Sequence, residues 1–359
     1  IISNTVLSPS TKASIEKFKA KYPTAQHVQY DQYSHYGIQK ANEESFGSGF
    51  IPSYDFSKAS VIVSVAADFL GSWIAPVEFT KQYGQTREVN EDKKEMSRHF
   101  QFESILSITG ANADYRTQIK PSEEGAVIIQ LYNLIAGKAG KAGVSGGVEK
   151  AHVARAAEDL WANRGKSLVV AGSNDKAIQV LVNGINDMLG SYGSTIDIAN
   201  PVNYRQGDDA AMAGFVKEAE AGQVDAAIFY NCNPVYDHPM GDKLAAGIKK
   251  LKLSISTGYK EEETGTLVNY QAPDHHFLEA WNDAEPKKNH FSLGQPTITP
   301  IFKSRATQES LMIWAGEANA DYFEFVKNNW KTWFYKDQTI DFQQFWDKCL
   351  YDGVLELPS

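Results

Sequence analysis

The run ASVIVSVA, Ala59 to Ala66, limits the possible folds more than any other segment. An extended chain that is apolar or small on both faces must be covered on both sides, as a central strand of a parallel sheet is. Short β-rich runs of this kind recur, at Ile1–Leu7, Ala25–Asp31, Phe102–Ile108, Lys166–Gly172, Asp225–Tyr230 and Leu251–Thr257, with a further strand at STIDI. Helical patterns separate them, up to Lys21, from Pro76, and over Ala126–Gly137, Glu149–Asn163, Asp175–Leu189, Asp208–Ala221 and Met240–Lys250. Ser10 or Thr11 can cap the first helix, and Pro76 suits a first-turn position. This alternation predicts an α/β protein made of two layered αβα Rossmann-like domains with largely parallel sheets.

The chain has 359 residues, which at roughly 150 per domain suits two domains. Between the two alternating halves lies GKAGKAGVSGG, with glycines at 137, 140, 143, 146 and 147. It is too short and proline-poor for a collagen triplet run, and a phosphate cradle is the sharper alternative to a flexible linker. The linker reading divides the chain into a first α/β domain, 1–146, and a second, 147–359, ending in an irregular aromatic-rich segment.

A net charge of -9 argues against sequence-blind nucleic-acid binding, which needs a basic stripe. Two cysteines exclude a disulfide scaffold and any iron–sulfur cluster held within the chain, since a cluster takes about four thiolates. Asp68, Gly71 and Pro76 interrupt the most apolar stretch, so no membrane span is expected. The ends, IISNTVLSPS and LELPS, carry no leader pattern or tail, and an internal piece of a longer chain is expected.

In parallel sheets ligands sit beyond the carboxyl ends of strands. Function is therefore expected at the loops Ala66–Trp73, Gly172–Lys176, Asn231–Asp237 and Thr257–Thr264. Gly165-Lys166-Ser167 resembles the tail of a phosphate loop but precedes a strand, and Leu160 stands where a glycine is required. Asp274, His275, His276 and Glu279 have a spacing that suits metal ligation from one helix face, against the plainer reading of a hydrogen-bonded loop. Cys232 is a nucleophile or, more simply, a packed thiol, and a bond to Cys349 is left open. The dense aromatics from Tyr322 to Trp346 form either core or an interface.

The stretch from Gln223 to Gly316 resembles the molybdopterin oxidoreductase family, whose members of the DMSO reductase type have the layered fold expected here. The likeness rests on Asn233-Pro234, Glu263-Thr264, Ala272-Pro273 and Phe277-Leu278-Glu279, with GKSLVVAGSNDKAIQV and SKASVIVSVAADFLGSW matching earlier strands and loops. The runs YDFSKASVIVSVAADFLGSWIAPVEF, EMSRHFQFESILSITGANADYR and EAWNDAEPKKNHFSLGQPTITPIFKSR are similar to one branch, the large iron–sulfur subunit of alternative complex III, a respiratory quinol:electron-acceptor oxidoreductase.

That resemblance implies a site at Ala66, Asp68, Gly172, Ser173, Asn174, Asn233, Pro234, Thr257, Glu263 and Thr264. It implies that the family's bis-molybdopterin guanine dinucleotide has been lost and that the iron–sulfur clusters sit in a domain outside this chain. The implied partners are that adjoining domain and other subunits of a membrane respiratory complex, on the periplasmic side of the inner membrane. The residues agree with loss: Ala66 and Asp68 stand where the family has glycine and asparagine. A carboxylate about 5 Å from a phosphate oxygen costs roughly 3 kcal/mol at an effective dielectric of 20, on the order of a hundredfold in affinity. Asn231 replaces the glycine of the second loop and tolerates left-handed backbone. The expected function is a non-catalytic framework that docks the cluster domain and partner subunits. The alternatives are a fragment of an active molybdopterin oxidoreductase and a small-molecule module using an interdomain crevice.

Overall fold

The computed structural model describes residues 1–336 and 339–358. The chain forms two compact units, 35–202 and a discontinuous one of 1–34 with 203–359. The units therefore do not part at 146. The strand Ser167–Ala171 pairs in parallel with Val61–Val65, residue for residue, so the second half of the chain completes a sheet begun in the first. The glycine-rich run lies inside this unit and folds back on the helix Glu124–Lys138. The Asn133 side chain brackets Val144, donating to its carbonyl at 2.9 Å and accepting from its amide at 2.7 Å.

In the 35–202 unit four parallel strands lie in the order Tyr115–Gln118, Arg98–Glu103, Val61–Val65, Ser167–Ala171. Val61–Val65 is buried at every position, as its two-faced apolar pattern requires. One sheet face packs Val61, Val63, Val65, Phe100 and Phe102 against the helices Glu124–Lys138, Val153–Ala162 and Lys176–Met188. Beyond Ser167–Ala171 the sheet has an unpaired edge, and Asn186 covers it. Its amide accepts from Val169 N at 3.0 Å and donates to Val169 O at 2.8 Å, replacing the strand that would otherwise be needed.

Two expected elements differ. The strand around Phe102 is Arg98–Glu103, and it stops there because Ser107 caps a helical turn, accepting from Gly110 N. Ile105, Leu106 and Ile108 are left exposed. STIDI belongs to the strand Ile196–Val202, which pairs antiparallel with Ile51–Tyr54, a strand that proline and serine hide from a pattern reading.

The other unit holds five parallel strands in the order Tyr270–Gln271, Leu253–Ser256, Ala226–Tyr230, Ile2–Ser3, Val28–Gln29. The helices Asp209–Glu220 and Gly241–Ile248 cover one face around Phe229 and Leu244. Pro9–Lys21 and Thr307–Trp314 cover the other around Ile15, Ile228 and Leu311. The helix Thr307–Trp314 ends before Gly316, whose φ is +109°, and helical structure resumes at Tyr322–Trp333. The aromatic tail is core. Trp330 and Trp346 are fully buried with Phe291, between the helices Tyr322–Trp333 and Phe342–Asp352 and the strands His290–Gly294 and Val354–Glu356. Among the described residues no helix is long and apolar enough to cross a membrane.

Candidate functional site

In each unit the expected site residues gather at the carboxyl ends of the parallel strands. In the 35–202 unit, Ala66 has φ +55°, so the loop keeps the left-handed turn that glycine favours. Alanine there costs about 1–2 kcal/mol. Ala66→Gly is expected to raise stability by about 1 kcal/mol, the strain relieved less the entropy glycine adds to the unfolded chain, read as a higher urea midpoint. Gly172 follows the neighbouring strand, and a Cβ on it would stand 2.1 Å from the Ala66 carbonyl oxygen, so only glycine fits. Asn174 Oδ1 accepts from Gly37 N at 2.7 Å, anchoring the helix Tyr36–Phe46. The Ser173 hydroxyl accepts from Asp175 N, and Asp175 caps the helix after it.

Asp68 differs from its expected role. Its Oδ1 accepts from Thr109 N at 3.1 Å and Thr109 Oγ1 at 2.7 Å, so the carboxylate brackets two loops instead of standing free before a cradle. Gly71 makes room for it, since a Cβ there would lie 2.1 Å from Oδ2. The Asp68 carboxylate is therefore engaged by Thr109 and does not stand as a free charge facing a phosphate at this loop. Six of the loop amides are also occupied. Ala66 N donates to Phe102 O, Phe69 N to Ala67 O, Leu70 N to Thr109 Oγ1, and the amides of Gly71, Ser72 and Trp73 all donate to Asp68 O.

In the other unit the loops are tied to one another. Asn233 Oδ1 accepts from Thr264 N at 2.9 Å and Thr264 Oγ1 at 2.8 Å, while its Nδ2 donates to Glu263 at 2.7 Å. That bond holds the Glu263 carboxyl below its usual range. Pro234 opens the short helix Pro234–Asp237. Thr257 Oγ1 accepts from the amide of Asn231, whose φ of +44° keeps the left-handed turn. Asn231 Nδ2 donates to Asp274 at 2.6 Å. Burial pushes the Asp274 carboxyl up, offset by donors from Thr307, Asn231 and His275.

These loops border an open cavity of about 390 Å³ lined by Asn4, Gln32, Asn231, Cys232, Asn233, Tyr236, Asp237, Glu262 and Glu263. Asn4, Gln32, Tyr236, Asp237 and Glu262 were not among the sequence candidates. The strand-end rule pointed to the 231–237 and 257–264 loops as wholes, which hold Tyr236, Asp237 and Glu262, but Asn4 and Gln32 join them only because their strands lie next in the sheet.

The metal reading of the 274–279 segment gives way to a hydrogen-bonded loop. Glu279 accepts from the amides of His276 and Ile301, and His275 Nδ1 bonds the Ser304 hydroxyl at 2.7 Å. Among the described residues no three His, Cys, Asp or Glu side chains are placed to hold a metal ion. Both cysteines are free and buried. Burial raises the Cys232 thiol far above its usual range, which suppresses the thiolate a nucleophile needs, and raises Cys349 to about 11.

No family model matches the sequence, and no curated protein matches it. Solved structures do match. Acetylene hydratase from Pelobacter acetylenicus superposes with a TM-score of 0.72 at 10% identity, over 99% of this chain and 60% of that one. The formyltransferase/hydrolase complex from Methylorubrum extorquens, solved with methylofuran, gives 0.58 at 11% identity, over 91% of each chain. The fold is of the DMSO reductase type. The chain thus spans about three fifths of the acetylene hydratase it matches. These findings correct the narrower resemblance to alternative complex III, since the structural likeness is to acetylene hydratase and no family model or curated protein supports that branch. The physical reason lies in what the quoted runs do. Strand, turn and helix in a parallel sheet impose one pattern on many sequences, and EAWNDAEPKKNHF forms a hairpin, Asn282–Lys287 with His290–Gly294, that serves the local core.

A molybdopterin guanine dinucleotide, the group this fold implies, meets two different answers at the unit-1–34/203–359 cavity. Its guanine edge would find acceptors for its N–H donors in the lining carboxylates, with the exposed Tyr236 ring among the lining residues. Its phosphates do not fit, because the lining has three carboxylates and no lysine or arginine.

Proposed function

We propose that this chain is part of a molybdopterin-type oxidoreductase and contributes the site for the nucleoside end of the dinucleotide. The observation that carries this reading is the cavity at the strand ends, where Asn231, Asn233, Tyr236, Glu262 and Glu263 converge in a DMSO reductase-type fold. When bound, such a cofactor supplies the redox-active metal. This chain's residues orient the base: Glu262 and the second oxygen of Glu263 accept its N–H groups, and Asn233 holds Glu263 in place. Tyr236, 74% exposed, stacks on it.

The test is a titration of the purified chain with guanosine, adenosine and cytidine, followed by melting temperature. Guanosine is expected to stabilise most, by about 2.7 kcal/mol at a hundredfold excess over its Kd, and Tyr236→Ala to abolish the shift. The protein isolated from its source is expected to carry guanine dinucleotide by mass spectrometry, with molybdenum or tungsten by metal analysis. No nucleoside effect and no dinucleotide would overturn the reading. A second reading, a cofactor-free framework that docks neighbouring domains, is favoured by the loop amides that already donate within the protein and by the acidic lining. It predicts a folded protein with neither metal nor dinucleotide.

A further inference from the structure

We propose that Asp237, Glu262 and Glu263 set the selectivity of the strand-end cavity by turning phosphate groups away, so that a phosphate carried by any ligand of this site is held by residues outside the cavity. The inference rests on the nucleoside-site reading and adds what that site rejects.

Three observations support it. The first is charge. Three of the nine lining residues are carboxylates, and none is lysine or arginine. The second is that two of these carboxylates are fixed in place. Asp237 accepts from the Tyr30 hydroxyl at 2.8 Å and from Gln32 Nε2 at 2.6 Å, and Glu263 is held by Asn233. They cannot swing aside without breaking those bonds, and the Glu263 carboxyl stays ionised across neutral pH. The third is that four amides of the 231–237 loop are already spent inside the protein. Phosphate sites without basic side chains rely on free amides. Here Asn231 N donates to Thr257 Oγ1, Val235 N to Thr264 Oγ1, and the amides of Tyr236 and Asp237 to Asn233 O, while Pro234 has no N–H. A phosphate oxygen about 5 Å from one of these carboxylates loses on the order of a hundredfold in affinity at an effective dielectric of 20, and less at high salt.

The experiment titrates inorganic diphosphate, guanosine and GDP separately into the wild-type chain and into Glu262→Gln and Glu262→Lys, at low salt, by calorimetry. Glu262 lies at a half-exposed loop position outside the core, and circular dichroism checks that both variants fold. The wild type is expected to bind GDP at least tenfold more weakly than guanosine and to show no saturable diphosphate binding. Glu262→Gln is expected to raise the GDP-to-guanosine affinity ratio about tenfold or more, and Glu262→Lys to raise it further and create measurable diphosphate binding. Wild-type GDP binding tighter than guanosine overturns the proposal, as does an unchanged diphosphate response in Glu262→Lys. Failure of guanosine alone counts against the nucleoside reading, because the diphosphate arm does not depend on the base.

Discussion

Asp283→Ala is expected to destabilise the unit built from 1–34 and 203–359 by about 4 kcal/mol, read as a lower urea midpoint with an unchanged slope. Asp283 is only 3% exposed. Its carboxylate faces no cation among the described residues and is satisfied by donors from two separate segments. Ser8 Oγ and Ser10 N donate to one oxygen, and Ser10 Oγ at 2.6 Å and Trp330 Nε1 at 2.9 Å donate to the other. A buried carboxylate is tolerated only when such donors replace its water. Alanine removes the acceptor and leaves the Ser10 amide and the Trp330 indole N–H buried without partners, at about 1–3 kcal/mol for each orphaned donor. The substitution also separates the start of the helix Pro9–Lys21 from the aromatic core around Trp330. Asp283→Asn keeps one acceptor oxygen and is expected to cost about half as much. A loss below about 1 kcal/mol for alanine would show that the hub is dispensable.

The 35–202 unit is expected to lose stability between pH 6.5 and 4, by about 3 kcal/mol from His99 alone. Burial pushes the His99 imidazole down to about 4, outweighing the Gln101 hydrogen bond and the nearby Asp114 and Glu103 carboxylates, with Arg87 acting in the same direction as burial. The folded state therefore resists protonation while the unfolded chain accepts the proton near pH 6.5. Above pH 6.5 both states are neutral and the full stability is present. As pH falls from 6.5 toward 4 the unfolded state gains the proton first, and stability drops by about 1.4 kcal/mol per pH unit. Further down, the Glu103 and Asp114 carboxyls, held low by Ser107 and Arg116 and by Arg87, add losses of the same sign as they protonate. His27, lowered to about 4 mainly by burial, acts in the same direction in the other unit. His99→Gln is expected to flatten the profile of the 35–202 unit between pH 6.5 and 4, measured by urea unfolding at stepped pH. Parallel profiles for variant and wild type would refute the assignment.

His99 also shows where a pattern reading falls short. The strand expected at Phe102–Ile108 runs instead over Arg98–Glu103, and alternation along it puts His99, Gln101 and Glu103 on the face opposite Phe100 and Phe102. Alternation would send that face to solvent. It is instead buried, and its polar groups bond one another in series, with His99 Nε2 to Gln101 at 3.2 Å and Gln101 Nε2 to Glu103 at 3.1 Å. Only the packing of Phe69 and Tyr83 against His99 shows that this face is covered. The candidate site was legible in a similar, partial way. Asn233, Pro234, Thr257, Glu263 and Thr264, expected from strand-end position and resemblance, lie in the loops tied together at these strand ends, and of them Asn233 and Glu263 line the cavity. The partners of Asp68 were not, because Thr109 lies 41 residues away on another strand's loop.

The amino-acid sequence by itself determined the α/β class, the doubly covered strand at Val61–Val65 and the loops at the strand ends, because periodicity and capping act between residues a few positions apart. Tertiary structure alone decided that Ser167–Ala171 joins the first half's sheet, that Asp68 is bound to Thr109, and that Asn4 and Gln32 reach the 231–237 loop. Those outcomes depend on which strands lie side by side, a choice made by the burial of whole faces and not by any local signal.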